Sequence, residues 1–359
     1  MMQGFSGSYL PTDVQFLLRQ LTVEVTDIAK KERLIQTGQK HYSEMLSAEP
    51  IPSLKHQQIY QQALDSYGLR MAQDIQALAL ALLPLQVHGE LVLVSFVRAG
   101  VPIAVLLTRA LTAMGVCVTH YGISIVRDKG IDQHALNSII QQHGVDSLIF
   151  VDGWTGKGAI SQELSRSLAQ DSRFSGQPRL VTLADPCGHA WLAASAEDWL
   201  IPSGMLGATV SGLVSRSLYN ADDWHGCNSC KHLQDYDVSQ SFIDSVDTLR
   251  QQLEPNSIFA SEAWTSEQQQ ALQQQSKTVI QYFSQQFAVS NINRIKVGIA
   301  EATRAVMRRV PEHIFVKNKA DNDVALLVSL AQQAGIEIQE VGEALGQYRA
   351  LTLIKGMKE

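Results

Sequence analysis

The hydrophobic pattern of this chain alternates between long stretches with helical spacing and short apolar runs. Residues 12–45 and 55–85 carry apolar side chains three and four positions apart, which predicts helices. The short runs are typical of strands buried on both faces, and they lie at 91–96, 116–121, 148–151, 179–183 and 199–201. Further helical patterns lie at 103–114, 133–143 and 162–168. The order predicts an α/β fold with a parallel sheet and flanking helices.

The C-terminal part repeats this alternation on a smaller scale. Helices are predicted at 278–287, 300–309 and 324–334, and strands at 294–297, 314–317, 337–341 and 350–354. A glutamine-rich stretch precedes them and predicts a helical or flexible connection. Residues 277–359 carry 11 Lys/Arg against 8 Asp/Glu, whereas the whole chain has a net charge of −6. We therefore predict a main domain at 1–255, a linker at 256–276 and a small, mildly basic α/β domain at 277–359.

Composition narrows the class of protein. The chain has 359 residues, of which 45% are hydrophobic and 18% are charged, so it can bury a large core. No apolar run reaches the length of a membrane span, which predicts no membrane partner. The first thirteen residues lack the basic and apolar regions of a signal peptide, so a cytoplasmic location is expected. Four cysteines are too few for a disulfide framework in a chain of this length. The sequence leaves open whether the chain forms a homo-oligomer.

The first stretch with candidate chemistry is 147–160. A buried strand ends at Asp152, and Gly153, Gly156 and Gly158 then remove side chains from a tight turn into a helix. Backbone N–H groups at such a turn favour an anion, so the stretch predicts a phosphate cradle. It is not a P-loop, because Val151 stands where a P-loop has its first glycine. An ordinary strand-to-helix turn is the alternative.

A second strand-turn-helix unit precedes it along the chain. Arg98, Ala99 and Gly100 follow the strand at 91–96, at the edge where α/β sheets bind ligands. The guanidinium group of Arg98 can chelate phosphate oxygens, although a surface salt bridge is the alternative. Arg127 lies in a charged turn at 127–132 that is either a lid over the phosphates or a solvated turn.

These two turns resemble the phosphate loops of the phosphoribosyltransferases. The resemblance implies that phosphoribosyl diphosphate is bound with Mg²⁺, with Asp152 at the metal, and that its ribosyl group is transferred to an acceptor that the sequence does not name. It assigns catalysis to Asp152, Arg98 and Arg127. The substrate would be held by Arg98, Ala99, Gly100, Asp152, Gly153, Thr155, Gly156, Lys157 and Gly158.

The C-terminal part resembles the RNA-binding domains of the Pelota type. The run at 297–306 matches their glycine turn at a helix start through Gly298, Glu301 and Arg304, while Ala300 replaces their asparagine. The resemblance implies RNA as a partner, held by these three residues and Lys317. Basic side chains of this kind bind phosphates and do not specify sequence.

A phosphoribosyltransferase-like body with a Pelota-like tail resembles the StiP family of bacterial tellurite-resistance and stress operons, whose members are sometimes labelled cysteine proteases. The resemblance covers nearly the whole chain. It implies an enzyme that makes a nucleoside-like metabolite or modifies a nucleic-acid-linked acceptor.

Two other function classes stay open. The first is a non-catalytic regulator that senses a nucleotide and binds RNA, which the lack of a second acid at Gly153 favours. The second is a cysteine peptidase that uses Cys227 or Cys187. Cys227 and Cys230 also have the spacing of half a zinc site, and Asp185 is a further site candidate at a strand end.

Overall fold

The computed structural model describes residues 4–356. Within them the strands are β1 Gln15–Phe16, β2 Arg19–Gln20, β3 Glu90–Phe96, β4 Cys117–Ile123, β5 Ile125–Val126, β6 Gly130–Ile131, β7 Leu148–Val151, β8 Leu180–Ala184, β9 Leu192–Ser195, β10 Gly226–Cys227, β11 Ile295–Val297, β12 Pro311–Val316, β13 Ile338–Glu340 and β14 Ala350–Ile354. The α-helices are α1 Ile28–Gln36, α2 Leu54–Leu82, α3 Gly100–Ala113, α4 Gln133–His143, α5 Ala159–Leu168, α6 Ser239–Gln251, α7 Ser266–Gln286, α8 Ile299–Arg308 and α9 Ala325–Gln333.

The central sheet has six parallel strands in the order β1-β4-β3-β7-β8-β9. Successive residues of β3 face opposite sides of this sheet. Leu91 and Leu93 pack with α2, α3 and α6, whereas Val92 and Val94 pack with α4 and α5. Both faces are therefore covered, which explains why the strands read as continuous apolar runs. The predicted α/β class with a parallel sheet is confirmed, while its likeness to the phosphoribosyltransferase fold is not.

The C-terminal part forms its own sheet in the order β11-β14-β12-β13. Strand β14 pairs antiparallel with both neighbours, and β12 pairs parallel with β13. Phe283 on α7 packs against Phe315 on β12 and, with Tyr348, belongs to the core on one side of this sheet. Helices α8 and α9 supply the core on the other side. A small C-terminal α/β domain is thus present, as predicted.

The helix predicted over residues 12–45 is wrong for most of its length. Only α1 is an α-helix there, and residues 15–16 join the edge of the central sheet as β1. Phe16 pairs with Gly122 on β4, and its ring lies where a side chain on residue 122 would stand. A long-range pairing has overridden the local helical spacing.

Two further boundaries differ from the predictions. Residues 199–201 are buried but form no strand, and the sheet ends instead with β9. Helix α7 begins inside the predicted linker, with a capping box between Thr265 and Gln268. The division into domains at 255 and 276 stays a prediction. None of the helices within residues 4–356 is long and apolar enough to cross a membrane.

Candidate functional site

The two predicted phosphate loops lie against each other at the carboxyl edge of the central sheet. Gly100 packs so closely on the end of β7 that a Cβ there would clash with the carbonyl oxygen of Val151. A Cβ at Gly153 would lie 2.9 Å from the carbonyl oxygen of Ala99. Glycine is therefore needed at both positions to let the two backbones meet.

Arg98 is buried behind this contact, with 6% of its surface exposed. Its guanidinium group pairs with Glu49 and donates to the carbonyl oxygen of Val214 at 3.0 Å. Its Nε is buried and has no hydrogen-bond partner among the residues that the structure describes. Burial holds the pKa of Arg98 well below its usual range, and the nearby Arg308 acts in the same direction. Arg98 is thus a buried cation rather than one end of a surface salt bridge.

Asp152 ends β7 at the same edge. Desolvation raises the pKa of its carboxyl group from 3.8 to about 7, while the backbone N–H of Gly153 and the charge of Arg304 act against that rise. The N–H of Gly153 donates to its Oδ1 at 2.8 Å. Burial therefore favours the protonated form of Asp152 more than it is favoured in an exposed carboxyl group.

Hydrogen bonds within the protein hold the rest of this loop in place. Thr155 donates a hydrogen bond to the buried Asp185. Asp185 also accepts hydrogen bonds from the backbone of His189 and Ala190, and from Trp264. The Asp185 carboxylate is therefore fully engaged in holding loops together. Its place among the candidate site residues stays a prediction.

The glycines and lysine of the loop meet the C-terminal domain. Gly156 packs on Glu301, and its carbonyl oxygen accepts a hydrogen bond from Tyr348 at 2.7 Å. Lys157 donates to the carbonyl oxygen of Ile295 at 2.9 Å. Gly158, with φ +74°, caps the start of α5. The loop thus joins the central sheet to the C-terminal domain.

A cavity of about 280 Å³ opens where these parts meet, and we call it the basic cavity. Its lining combines both phosphate loops with β11 and α8. Its acidic side chains are Asp152 and Glu301. Its cationic side chains are Arg98, Arg127, Lys157, Arg216, Lys296, Arg304 and Arg308. The structure therefore brings all three residues assigned to catalysis into one place, together with five further cations. The roles of the assigned residues stay predictions.

Arg127 enters the basic cavity from the turn between β5 and β6. Its backbone N–H donates to the hydroxyl group of Tyr42 at 2.8 Å, and its guanidinium group donates to Asn293 at 3.0 Å. Asp132 caps α4 by accepting from the N–H of Ala135 at 3.0 Å. The turn is therefore held in a short hairpin, and its action as a lid stays a prediction.

The residues predicted to bind RNA do not share one open surface. Glu301 and Arg304 line the basic cavity, with Arg304 stacked over the ring of Trp154 at 4.6 Å. Lys317 does not line that cavity and donates instead to Glu343 at 2.9 Å. Gly298 faces Asp198 of the main domain, whose carboxylate would lie 3.2 Å from a Cβ there.

Asp198 also occupies the start of α8. Its Oδ1 and Oδ2 accept from the N–H of Ile299 at 3.0 and 3.2 Å, and its Oδ2 accepts from the N–H of Arg349 at 2.8 Å. Burial raises the pKa of Asp198 to about 6. The turn that resembles an RNA-binding turn is therefore covered by a carboxylate from the same chain.

All four cysteines are free thiols, and three of them are buried. Cys187 and Cys227 are 0% exposed. Burial raises the pKa of Cys187 well above its usual range and that of Cys227 to about 12. Neither has a cation among the groups that shift its pKa. These two thiols, which the sequence suggested as nucleophiles, therefore lie in surroundings that oppose a thiolate.

Cys230 differs from them. It lines a cavity of about 360 Å³, which we call the thiol cavity, together with His232. Burial raises the pKa of the Cys230 thiol, but Arg98 and Arg308 act in the opposite direction. Arg216 and Arg308 line both cavities, so the two sites are neighbours.

The half zinc site is not completed in the structure. Within residues 4–356, no group of three or more His, Cys, Asp or Glu side chains is arranged to hold a metal ion. The ring of His225 contacts Ser124 Oγ at 2.7 Å, whereas His232 contacts the carbonyl oxygen of Glu49 at 3.0 Å. The Mg²⁺ expected at Asp152 stays a prediction.

Sequence reasoning overlooked two features of these sites. Lys296 carried no motif, and its place in the basic cavity follows only from how β11 packs on the loops. Cys230 was weighed only as half of a zinc pair. The signal for it was the run of basic residues on α8, which could not be connected to a cysteine 78 positions away without the fold.

Both parts of the chain match known protein families. Residues 7–247 match the family model described as "Tellurite-like stress resistance cysteine protease StiP", and residues 274–356 match the "PELOTA RNA binding domain". The chain is 49% identical over 367 residues to "Cysteine protease StiP" of Acinetobacter baylyi (strain ATCC 33305 / BD413 / ADP1). That match covers 98% of this chain and 95% of the relative. No solved structure matches the chain significantly.

These matches correct the predicted reaction. The prediction of a phosphoribosyl diphosphate-dependent transferase is wrong, because both the family model and the near-full-length relative are named as cysteine proteases. Phosphoribosyl diphosphate is likewise unsupported as a partner. The resemblance of the C-terminal part to Pelota-type domains is confirmed at the level of the domain. Of the function classes that the sequence left open, the cysteine peptidase is the one that the names favour.

Proposed function

This chain belongs to the StiP family, and we propose that it is a cysteine peptidase whose nucleophile is the thiol of Cys230. The observation that carries this choice is that Cys230 and His232 line one cavity beside two guanidinium groups. A thiol peptidase needs a thiol that a peptide can reach, a base and a positive environment. Cys187 and Cys227 are fully buried. Cys117 is exposed at the amino end of β4, at the end of the central sheet opposite to the carboxyl edge.

His232 is the proposed general base. Its Nε2 lies 3.0 Å from the carbonyl oxygen of Glu49, and a carbonyl can only accept a hydrogen bond. This contact assigns the proton of the neutral ring to Nε2, so Nδ1 is the atom that would accept the thiol proton in the proposed reaction. The Glu49 carbonyl would therefore orient the ring as a third group does in other thiol and serine hydrolases.

The neighbouring cations support the charged steps. Arg98 and Arg308 favour the thiolate, whose attack on a peptide carbonyl would give an acyl-enzyme through an oxyanion intermediate. Arg308 lines the thiol cavity, where its guanidinium group could stabilise that oxyanion. His232 would return the proton to the departing amine, and water would then release the acyl group.

The shape of the thiol cavity indicates a preference for apolar peptide side chains. Val25, Ile28, Leu46 and Met307 form an aliphatic part of its lining. Such a surface favours a leucine-like residue at the cleaved bond through burial of its apolar area. Lys31 also lines this cavity, and burial lowers its pKa to about 7.

The test is active-site labelling of the full chain. A leucine-containing peptidyl acyloxymethyl ketone, which alkylates activated thiols, should modify Cys230, and fluorescently labelled casein should be cleaved. Cys230→Ser and His232→Ala should lose both activities, while Cys117→Ser, a change at an exposed thiol, should keep them. Labelling of Cys187 or Cys227 instead, or cleavage that survives Cys230→Ser, would overturn the assignment.

The domain match favours RNA binding as a second candidate function. We propose that structured RNA binds the C-terminal domain through basic side chains outside the basic cavity, among them the half-buried Lys317. Fluorescence anisotropy with a kinked RNA should show salt-sensitive binding that Lys317→Gln weakens. Unchanged affinity in that variant would remove Lys317 from the interface.

A further inference from the structure

The basic cavity is a composite of two parts of the chain that are distant in sequence. The loops after β3 and β7 contribute Arg98 and Lys157. The C-terminal domain contributes Lys296 from β11, and Arg304 and Arg308 from α8. Arg304 and Arg308 are four residues apart, so they project from the same side of that helix. The cavity exists only when the C-terminal domain is packed on the sheet edge.

The protein balances the positive charge in this cavity only in part. Seven cationic side chains line it against two acidic ones. Two carboxylates outside the lining also pair with these cations: Glu49 is shared between Arg98 and Arg308, and Asp128 pairs with Arg127. Burial lowers the pKa of Lys296 to about 8 and that of Arg304 to about 10, and neighbouring cations push both in the same direction. The protein therefore brings like charges together in this cavity at a cost that an anion would relieve.

Two of the arginines that line the cavity also carry a donor without a partner. The Nε atoms of Arg98 and Arg304 are buried, and neither has a hydrogen-bond partner within residues 4–356. A buried donor without a partner costs free energy, so native proteins seldom leave one unmatched. Guanidinium groups donate in a fork that fits phosphate oxygens. The unpartnered atoms and the excess charge thus point independently to a phosphate-bearing ligand.

We propose that the basic cavity binds a nucleoside diphosphate through its phosphate groups. A diphosphate carries enough negative charge to offset much of the cationic excess. The Asp152 and Glu301 side chains supply oxygen atoms that can accept from ribose hydroxyl groups. Phe96 and Ile125 give the cavity an apolar wall against which a base can lie. The volume of about 280 Å³ suits one nucleotide and not a folded polymer.

This site shares Arg98 and Arg308 with the proposed peptidase chemistry, but it uses no cysteine. Its ligand need not be a peptide. Binding can therefore be measured in the Cys230→Ser variant, which should bind as the unaltered chain does. Failure of the peptidase assignment would leave the nucleotide site standing, and the reverse also holds.

The experiment is isothermal titration of the full chain at low ionic strength with ADP, inorganic pyrophosphate and adenosine. We expect ADP and pyrophosphate to bind and adenosine not to bind. Arg304→Gln and Lys296→Gln should each weaken ADP binding by about tenfold or more, since each removes a charge-assisted contact. Arg304→Lys, which keeps the charge, should restore part of the affinity. Lys319→Gln is the matched control, because Lys319 is exposed on the same domain and does not line the cavity.

A second arm separates a free nucleotide from the end of an RNA strand, which offers the same phosphate. A tetranucleotide RNA is titrated with and without a 5′-phosphate. Binding that requires the 5′-phosphate and is lost in Arg304→Gln would support the site and identify an RNA end as its source. The proposal is overturned if neither ADP nor pyrophosphate nor the 5′-phosphorylated RNA binds. It is equally overturned if Arg304→Gln and Lys296→Gln, shown to be folded by circular dichroism, bind as tightly as the unaltered chain.

Discussion

At the scale of single residues, burial governs the charge states around the basic cavity. Asp152 and Arg98 follow neighbouring strands, and a sequence argument alone can select them as site residues. Their surroundings decide their chemistry, because desolvation disfavours the charged form of each. Cys230 illustrates the same competition, since burial and two guanidinium groups shift its pKa in opposite directions.

Asp152 gives a prediction about stability and pH. Its pKa is about 7 in the folded chain and 3.8 when exposed, so between these values the folded state holds a proton that the unfolded state has released. This contribution to the free energy of unfolding therefore falls as pH rises from about 4 to about 7. The free energy of unfolding of Asp152→Asn should exceed that of the unaltered chain by about 1 kcal/mol at pH 8 and should be similar to it at pH 4. The value at pH 8 is smaller than the pKa shift alone implies, because the Asp152 side chain is partly exposed to solvent.

Urea denaturation of both chains at the two pH values measures this effect. Asp171→Asn is the contrast, because Arg173 lowers the pKa of that carboxyl group. Loss of the Asp171 charge should lower stability at pH 8, which is the opposite sign. If Asp152→Asn had the same effect at pH 4 and pH 8, burial would not be the origin of the shift.

At the scale of elements, the site depends on two loops that touch through glycine. Helix α3 begins at Gly100, directly against the end of β7. Gly100→Ala should destabilise the chain by about 2–3 kcal/mol, because the added methyl group forces β7 and α3 apart. A loss of stability would be informative, because alanine in place of glycine normally stabilises a helix.

Thermal denaturation of Gly100→Ala and of Gly204→Ala tests this contact. A Cβ at Gly204 would lie 3.4 Å from that of Ala300, which is an ordinary contact. The second variant should therefore melt close to the unaltered chain. Equal melting temperatures for all three chains would show that the loops can separate without cost.

The cap on α8 supplies a second prediction at this scale. Asp198→Ala would leave the N–H groups of Ile299 and Arg349 without their acceptor inside the protein. We expect a loss of about 2 kcal/mol, together with faster hydrogen exchange at Ile299. Asp27→Ala removes the exposed cap of α1, where a single N–H is served, and should cost less. Exchange at Ile299 that stayed slow would show that another group replaces Asp198.

At the scale of the whole molecule, the basic cavity and the thiol cavity share Arg216 and Arg308. Arg98 joins them electrostatically, since it acts on the Cys230 thiol from the basic cavity. An anion bound there would partly neutralise Arg98 and Arg308. It would thereby remove the influence that favours the Cys230 thiolate, so that the nucleotide site would regulate the thiol.

This coupling predicts that saturating ADP slows alkylation of Cys230 by iodoacetamide at pH 7 about threefold or more, because a rise in pKa lowers the thiolate fraction. Mass spectrometry of the labelled peptides gives the rate. Cys117, at the opposite edge of the sheet, is the internal control and should react at an unchanged rate. A Cys230 rate that ADP leaves unaltered would separate the two cavities functionally.

The sequence by itself determined the α/β alternation, the family and several elements to the residue, among them α4, β7 and β14. Those elements depend on local periodicity, caps and glycine turns, which a sequence displays directly. It also located Arg98 and Asp152 at strand ends, but the reaction inferred from the loops was wrong, because a resemblance between loops on similar folds does not fix the chemistry.

Only the tertiary structure decided which side chains meet. It turned residues 15–16 into a sheet edge, because pairing with β4 outweighed local spacing. It placed α8 over the loops that follow β3 and β7, so that Arg304 joined Arg98 in one cavity. The turn before α8 is covered by Asp198. It also gave the Cys230 thiol guanidinium neighbours that the thiols of Cys187 and Cys227 lack. These outcomes depend on contacts between segments far apart in the chain, whose burial and charge no local pattern records.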